Sequence, residues 1–175
     1  MGEGKLVALK WLVYVATIVI AFALQTMPGF LAFGPAGVFI VIPLAVCLSM
    51  YESERSAAIL GVLAGFLQAY STGRFLGFYG AVVLACCVAA ALFTMYMFRL
   101  SWFNAVLFVS GTLAILLLLD FVFYLFIWGY DGAVGVLFRQ HIPTVAYSAI
   151  ATPPLFWLAR LYSKWFGVRR EMQDF

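Results

Sequence analysis

Long apolar runs, most of them near the roughly 20 residues that a helix needs to cross a bilayer, alternate along this chain with short polar breaks. The pattern predicts helices over 7–26, 31–50, 56–72, 75–98, 103–128 and 143–162. Pro35 falls near the start of the second run, where proline is tolerated, while Pro43 should kink its interior. Pro153 and Pro154 should break the last run in its middle. The stretch 131–142 is too polar and too short to span. Its Val134, Leu137, Phe138 and Ile142 nevertheless recur at helical spacing, with Arg139 and Gln140 off that stripe. A short helix lying in the outer interface is expected there, used for packing or for docking an extracytoplasmic partner.

Composition makes lipid the solvent. Of 175 residues, 66% are hydrophobic and 10% charged, with a mean hydropathy of +1.09, against about 45–50% and about 25% in ordinary soluble domains. The expected fold class is therefore an all-α integral membrane protein of about six transmembrane helices, with residues 1–175 forming a single polytopic domain. Lys5 and Lys10 before an apolar run, with Ala21-Phe22-Ala23 after it, imitate a signal peptide. Because further apolar runs follow, an uncleaved first helix is the expectation. With the N-terminus inside, Lys5, Lys10, Arg55, Arg99, Arg160, Lys164, Arg169 and Arg170 fall on the cytoplasmic side, and only Arg74 and Arg139 fall outside. That positive-inside bias places both termini in the cytoplasm, with Trp11, Trp102 and Trp165 near the inner interface and Trp128 near the outer. A net charge of +3, thinly scattered, gives no surface for nucleic acid. Cys47, Cys86 and Cys87 sit inside apolar runs and read as small buried hydrophobes.

Two features could carry function. Ala57, Gly61, Gly65, Ala69, Gly73 and Gly77 recur every fourth residue, giving a ridge without bulky side chains. Such ridges let helix backbones approach closely in lipid; the ridge serves either internal packing or a seam for a separate membrane protein. Gly73 and Gly77 also suit the turn into the fourth helix. Asp120 interrupts a leucine run, eight residues or about 12 Å from Trp128. A carboxylate so deep must find a partner or face a cavity, and Ser148 and Thr152 on the last helix are the expected partners. Its role is structural hydrogen bonding or, alternatively, handling a proton or ligand. The carboxylates of Glu52-Ser53-Glu54-Arg55 are expected to cap the next helix. His141 is the lone histidine, so a paired-histidine metal site is excluded. No catalytic residues, metal or cofactor are expected, and the chain does not read as an enzyme.

The run from Gly65 through Gln68, Ala69, Gly73, Arg74 and Gly77 to Phe78 resembles the central motif of the bacterial rod shape-determining protein MreD family. Gln25-Thr26 at the end of the first span agrees with it. So do a Pro35-led second helix ending in a charged loop, Pro143-Thr144 opening the last helix with Tyr147 one turn on, and a basic tail. One departure is Ala69, where the family often carries an Asp, leaving Gln68 as the polar neighbour. The resemblance implies a multi-pass protein of the bacterial cytoplasmic membrane, a non-catalytic scaffold or regulator of cell elongation. Its implied partners, beyond membrane lipid, are an MreC-like protein, a RodA-type glycosyltransferase and a class B penicillin-binding protein. The alternative is a substrate-binding membrane subunit of an energy-coupling-factor vitamin transporter, whose S-component fold the family resembles in architecture. Such a subunit should enclose a polar-lined pocket, whereas a scaffold should have a filled core.

Overall fold

A computed structural model describes residues 3–27, 32–33, 36–73, 76–96, 100–126, 135 and 137–166. The chain is helical. Its elements in order are α1 (Glu3–Thr26), a two-residue antiparallel ladder of β1 (Ala32–Phe33) and β2 (Ala36–Gly37), α2 (Val41–Ser49), α3 (Glu54–Thr72), α4 (Leu76–Tyr96) and α5 (Trp102–Asp120). The π-helical segments Phe121–Phe126 and Leu137–His141 follow, the second running straight into α6 (Ile142–Phe166). Among the described residues, four stretches are long and apolar enough to cross a membrane: Val7–Thr26, Gly77–Tyr96, Trp102–Phe123 and Arg139–Phe166. Large side chains such as Leu12, Ile20, Leu107, Leu118 and Ile150 stand exposed along them, which only a lipid solvent accommodates. The protein is accordingly a multi-pass helical membrane protein.

The helices bury narrow stripes. On α1, Tyr14, Ile18 and Ala21 point inward at helical spacing. On α5 the inward row is Ala105, Val109, Thr112, Leu113, Leu116, Leu117 and Asp120. On α6 it is Thr144, Ser148, Thr152, Phe156, Ala159 and Ser163. Several hydroxyls in the bundle donate within their own helices. Thr17, Ser49, Thr94, Thr112 and Thr152 each donate to the carbonyl four residues back, at 2.7–2.9 Å. That is the economical solution where no water is at hand.

The second expected span takes a different form from an unbroken helix over 31–50. The helix is confined to Val41–Ser49, and the ladder together with residues 38–40 precedes it. Every residue of α2 is buried, and it packs against α1, α3, α4, α5 and α6. A helix that is apolar all round belongs in the middle of a bundle. Pro43 lies in its first turn, where the missing N–H has no intrahelical partner to lose, so the expected interior kink does not arise. Pro35 lies outside the described residues. The third expected span is α3, whose apolar character is diluted by Glu54, Arg55, Gln68 and its terminal Ser71 and Thr72.

The final helix also departs from expectation. Pro153 and Pro154 lie inside α6, which continues through them. Two amides are lost there, and in the turn before them Thr152 Oγ1 donates to the Ser148 carbonyl at 2.9 Å. The expected interfacial helix over 131–142 is described only at its end, where Leu137–His141 forms the π turn that enters α6; Val134 lies outside the described residues.

Candidate functional site

Among the described residues, three groups of buried polar side chains mark the interior, and each joins residues far apart in sequence. The first lies at the Lys10 end of α1. Lys10 Nζ donates to Glu52 Oε2 at 3.0 Å, and the Tyr14 hydroxyl donates to Glu52 Oε1 at 2.8 Å. Glu52 is only 2% exposed. It therefore caps no helix, contrary to the expectation for that turn; Ser53 occupies the N-cap of α3, and exposed Glu54 stands in its first turn. Around this pair, Tyr14 packs against Trp11, Tyr162 and Phe166 with ring centroids 6.2–6.4 Å apart. The Thr17 and Tyr162 hydroxyls meet at 3.1 Å.

The second group lies at the other end of α1. Gln25 Oε1 accepts the backbone N–H groups of Ile40 (2.8 Å) and Val41 (3.1 Å), and Gln25 Nε2 donates to Gln68 Oε1 at 2.9 Å. The neighbouring amide of Phe39 donates to Ser148 Oγ at 3.0 Å. Helix α2 begins at Ile40 without a cap of its own, and in lipid its orphan amides need partners. Side chains from α1 and α6 supply them. Gln68 is completely buried and accepts from the Gln25 side-chain amide.

The third group contains Asp120. Its Oδ1 accepts the Tyr79 hydroxyl at 3.0 Å, and its Oδ2 lies 3.6 Å from His141 Nε2, within ion-pair range though long for a hydrogen bond. Tyr79, Asp120 and His141 are all buried. Ser148 and Thr152, the expected partners, are engaged elsewhere: Ser148 with the Phe39 amide, and Thr152 with the Ser148 carbonyl. The acid sits where α5 passes into the π segment Phe121–Phe126, and the histidine where the π segment Leu137–His141 passes into α6. A π turn carries an extra residue per turn and moves the following side chains off the α-helical register. Sequence spacing therefore gave no hint that His141 reaches Asp120. Pro143 and Tyr147 follow in the first turns of α6, Pro143 half-buried and Tyr147 exposed; Arg74 lies outside the described residues.

His141 also closes one end of a groove between α5 and α6 of about 450 Å³. Ser110, Ala114 and Leu118 line it from α5, and Ile142, Ala146 and Ala149 from α6. The small-residue ridge, by contrast, is occupied. A β-carbon on Gly61 would fall 2.7 Å from the Leu84 Cα, and one on Gly65 would fall 2.7 Å from the Gly80 Cα and 2.8 Å from the Tyr79 carbonyl oxygen. Helices α3 and α4 thus pack backbone to backbone along it, with Ala57 and Ala69 buried in the same row. Gly73 ends α3 in the left-handed conformation, φ +64°, as a helix-terminating glycine does, and Gly77 stands exposed in the first turn of α4.

Among the described residues, no three His, Cys, Asp or Glu side chains converge on a metal-sized site. Comparison with family models, with curated proteins and with solved structures returns no match to this chain, so its functional reading rests on its own residues.

Proposed function

We propose that this chain is a non-catalytic scaffold or regulator of the bacterial cell-elongation machinery, as its resemblance to the MreD family implies. In this reading it sits in the cytoplasmic membrane, crosses six times with both termini inside, and docks an MreC-like protein and cell-wall synthases. The observation that carries the proposal is the position of α2. An apolar helix with every residue buried packs against all the other helices, which gives the filled core expected of a scaffold. The rival, a vitamin-binding subunit, should instead enclose a pocket near its outer face with several polar groups placed in it.

The polar pins at the two ends of α1 support the six-pass topology. Gln25 holds Ile40, and Lys10 holds Glu52. The segment 40–52 therefore runs antiparallel to α1 between Gln25 and Lys10, 15 helical steps or roughly 22 Å. Gln68 of α3 then returns to the Gln25 end. A short helix and its lead-in thus cover most of a hydrocarbon core about 30 Å thick.

The test is co-purification of tagged protein from its native membrane in a gentle detergent, read by mass spectrometry. Recovery of an MreC-like protein with a penicillin-binding protein is the expected result. Recovery of paired ABC-type ATPases with a coupling membrane subunit would overturn the scaffold reading.

A further inference from the structure

The groove between α5 and α6 has the shape and chemistry of a lipid site. Its lining runs from Ser110 to Leu118 on one helix and from Ile142 to Ala149 on the other, roughly 12 Å along the helix axes. Ala114, Leu118, Ile142 and Ala146 are exposed, so the slot opens sideways, toward the acyl chains of a bilayer. Its volume of about 450 Å³ falls within the roughly 300–1,000 Å³ of small-molecule sites. Spread over that length it leaves a cross-section of roughly 40 Å², too narrow for a helix about 10 Å across and wide enough for a hydrocarbon chain. Apart from Ser110 and His141 the lining side chains are hydrocarbon, so a water-soluble metabolite would be desolvated there without recovering hydrogen bonds.

The ends of the slot differ. At one end stands His141, and the two residues before it, Arg139 and Gln140, are exposed. A guanidinium and a side-chain amide within two residues of that end, outside the lining itself, complement a phosphate carried on an acyl chain, since Arg binds phosphate through two parallel N–H bonds. We infer that the groove holds one acyl chain of a glycerophospholipid, with the lipid phosphate at Arg139 and Gln140. This site is independent of the scaffold reading and can fail without it.

Native mass spectrometry of the full chain tests it, with phosphatidylglycerol and, separately, phosphate-free diacylglycerol as probes. The unaltered protein retains one phosphatidylglycerol. Ala146→Phe, placed on the exposed rim to fill the slot, retains none at the same dose. Arg139→Gln binds phosphatidylglycerol about tenfold less tightly and leaves diacylglycerol binding unchanged. Equal retention by Ala146→Phe, or equal affinity of the unaltered protein for both lipids, would overturn the assignment. A photoreactive group at the chain end of phosphatidylglycerol gives a check on the unaltered protein. Crosslinks are expected within 110–118 or 142–149; crosslinks found only elsewhere, or a partner protein's peptide held in the groove instead of lipid, contradict it.

Discussion

The two sides of this bundle treat their buried polar groups differently. On the α1–α2–α3 side, Lys10 meets Glu52 and Gln25 meets Gln68, so residues more than forty positions apart fix one register. On the α5–α6 side, the Tyr79–Asp120–His141 group stands beside a groove open to the exterior. The contrast teaches that polar groups in a membrane interior do two jobs. Where they close on one another they specify which helix lies where, a role that apolar contacts in lipid perform weakly. Where a polar group borders an apolar slot that opens toward the bilayer, it can instead orient something brought in from outside.

Breaking the closed side should have the largest effect. Lys10→Met strands the Glu52 carboxylate with the Tyr14 hydroxyl as its remaining partner. Losing one member of a buried pair costs about 3–5 kcal/mol, and the low end is expected because Lys10 keeps some access to solvent, at 15% side-chain exposure. Thermal unfolding in detergent should show it, and Glu52→Gln in the same chain should restore most of the loss. If the single substitution is neutral, the pair does not hold α1 to the loop after α2.

Gly65→Ala comes next. Its methyl group meets the backbone of α4 at 2.7–2.8 Å, and overpacking of this kind costs about 1–3 kcal/mol. A matching substitution at exposed Gly111, where a β-carbon meets nothing within 4 Å, should leave the unfolding midpoint unchanged or raise it. Asp120→Asn should have the smallest effect. The amide oxygen still accepts the Tyr79 hydroxyl while the contact with His141 loses its charge, so expression and folding should survive with a loss on the order of 1 kcal/mol. Normal yield combined with complete loss of the proposed cell-shape function would instead assign Asp120 a proton or ligand role.

Much of this arrangement was legible in the chain. The spans at α1, α4, α5 and α6 follow from apolar length alone, and the isolation of Asp120 in a leucine run marked it as a residue needing partners. What escaped was long-range. The apolar run over 31–50 predicts burial but not where a helix begins, because the cap of α2 comes from Gln25, fifteen residues upstream of Ile40. Glu52 looked like a helix cap because local spacing permits it, and nothing local reveals Lys10. Ser148 and Thr152 had the right depth for Asp120 on α-helical geometry, but Ser148 takes the Phe39 amide and Thr152 the carbonyl of its own helix, and neither partner is visible from local spacing. The small-residue ridge was visible as a surface; which helix covers it was not.

The claim on which this account turns is that the stretch carrying α2 crosses the membrane alongside α1. Single cysteines at Met27 and Ser53, in a chain with Cys47, Cys86 and Cys87 replaced by alanine, test it with a membrane-impermeant maleimide. Both positions are exposed. The account predicts that the two label from opposite faces of the membrane, Met27 from outside and Ser53 from the cytoplasm. Labelling of both from the same face would make 31–50 a re-entrant segment and contradict the six-pass scaffold.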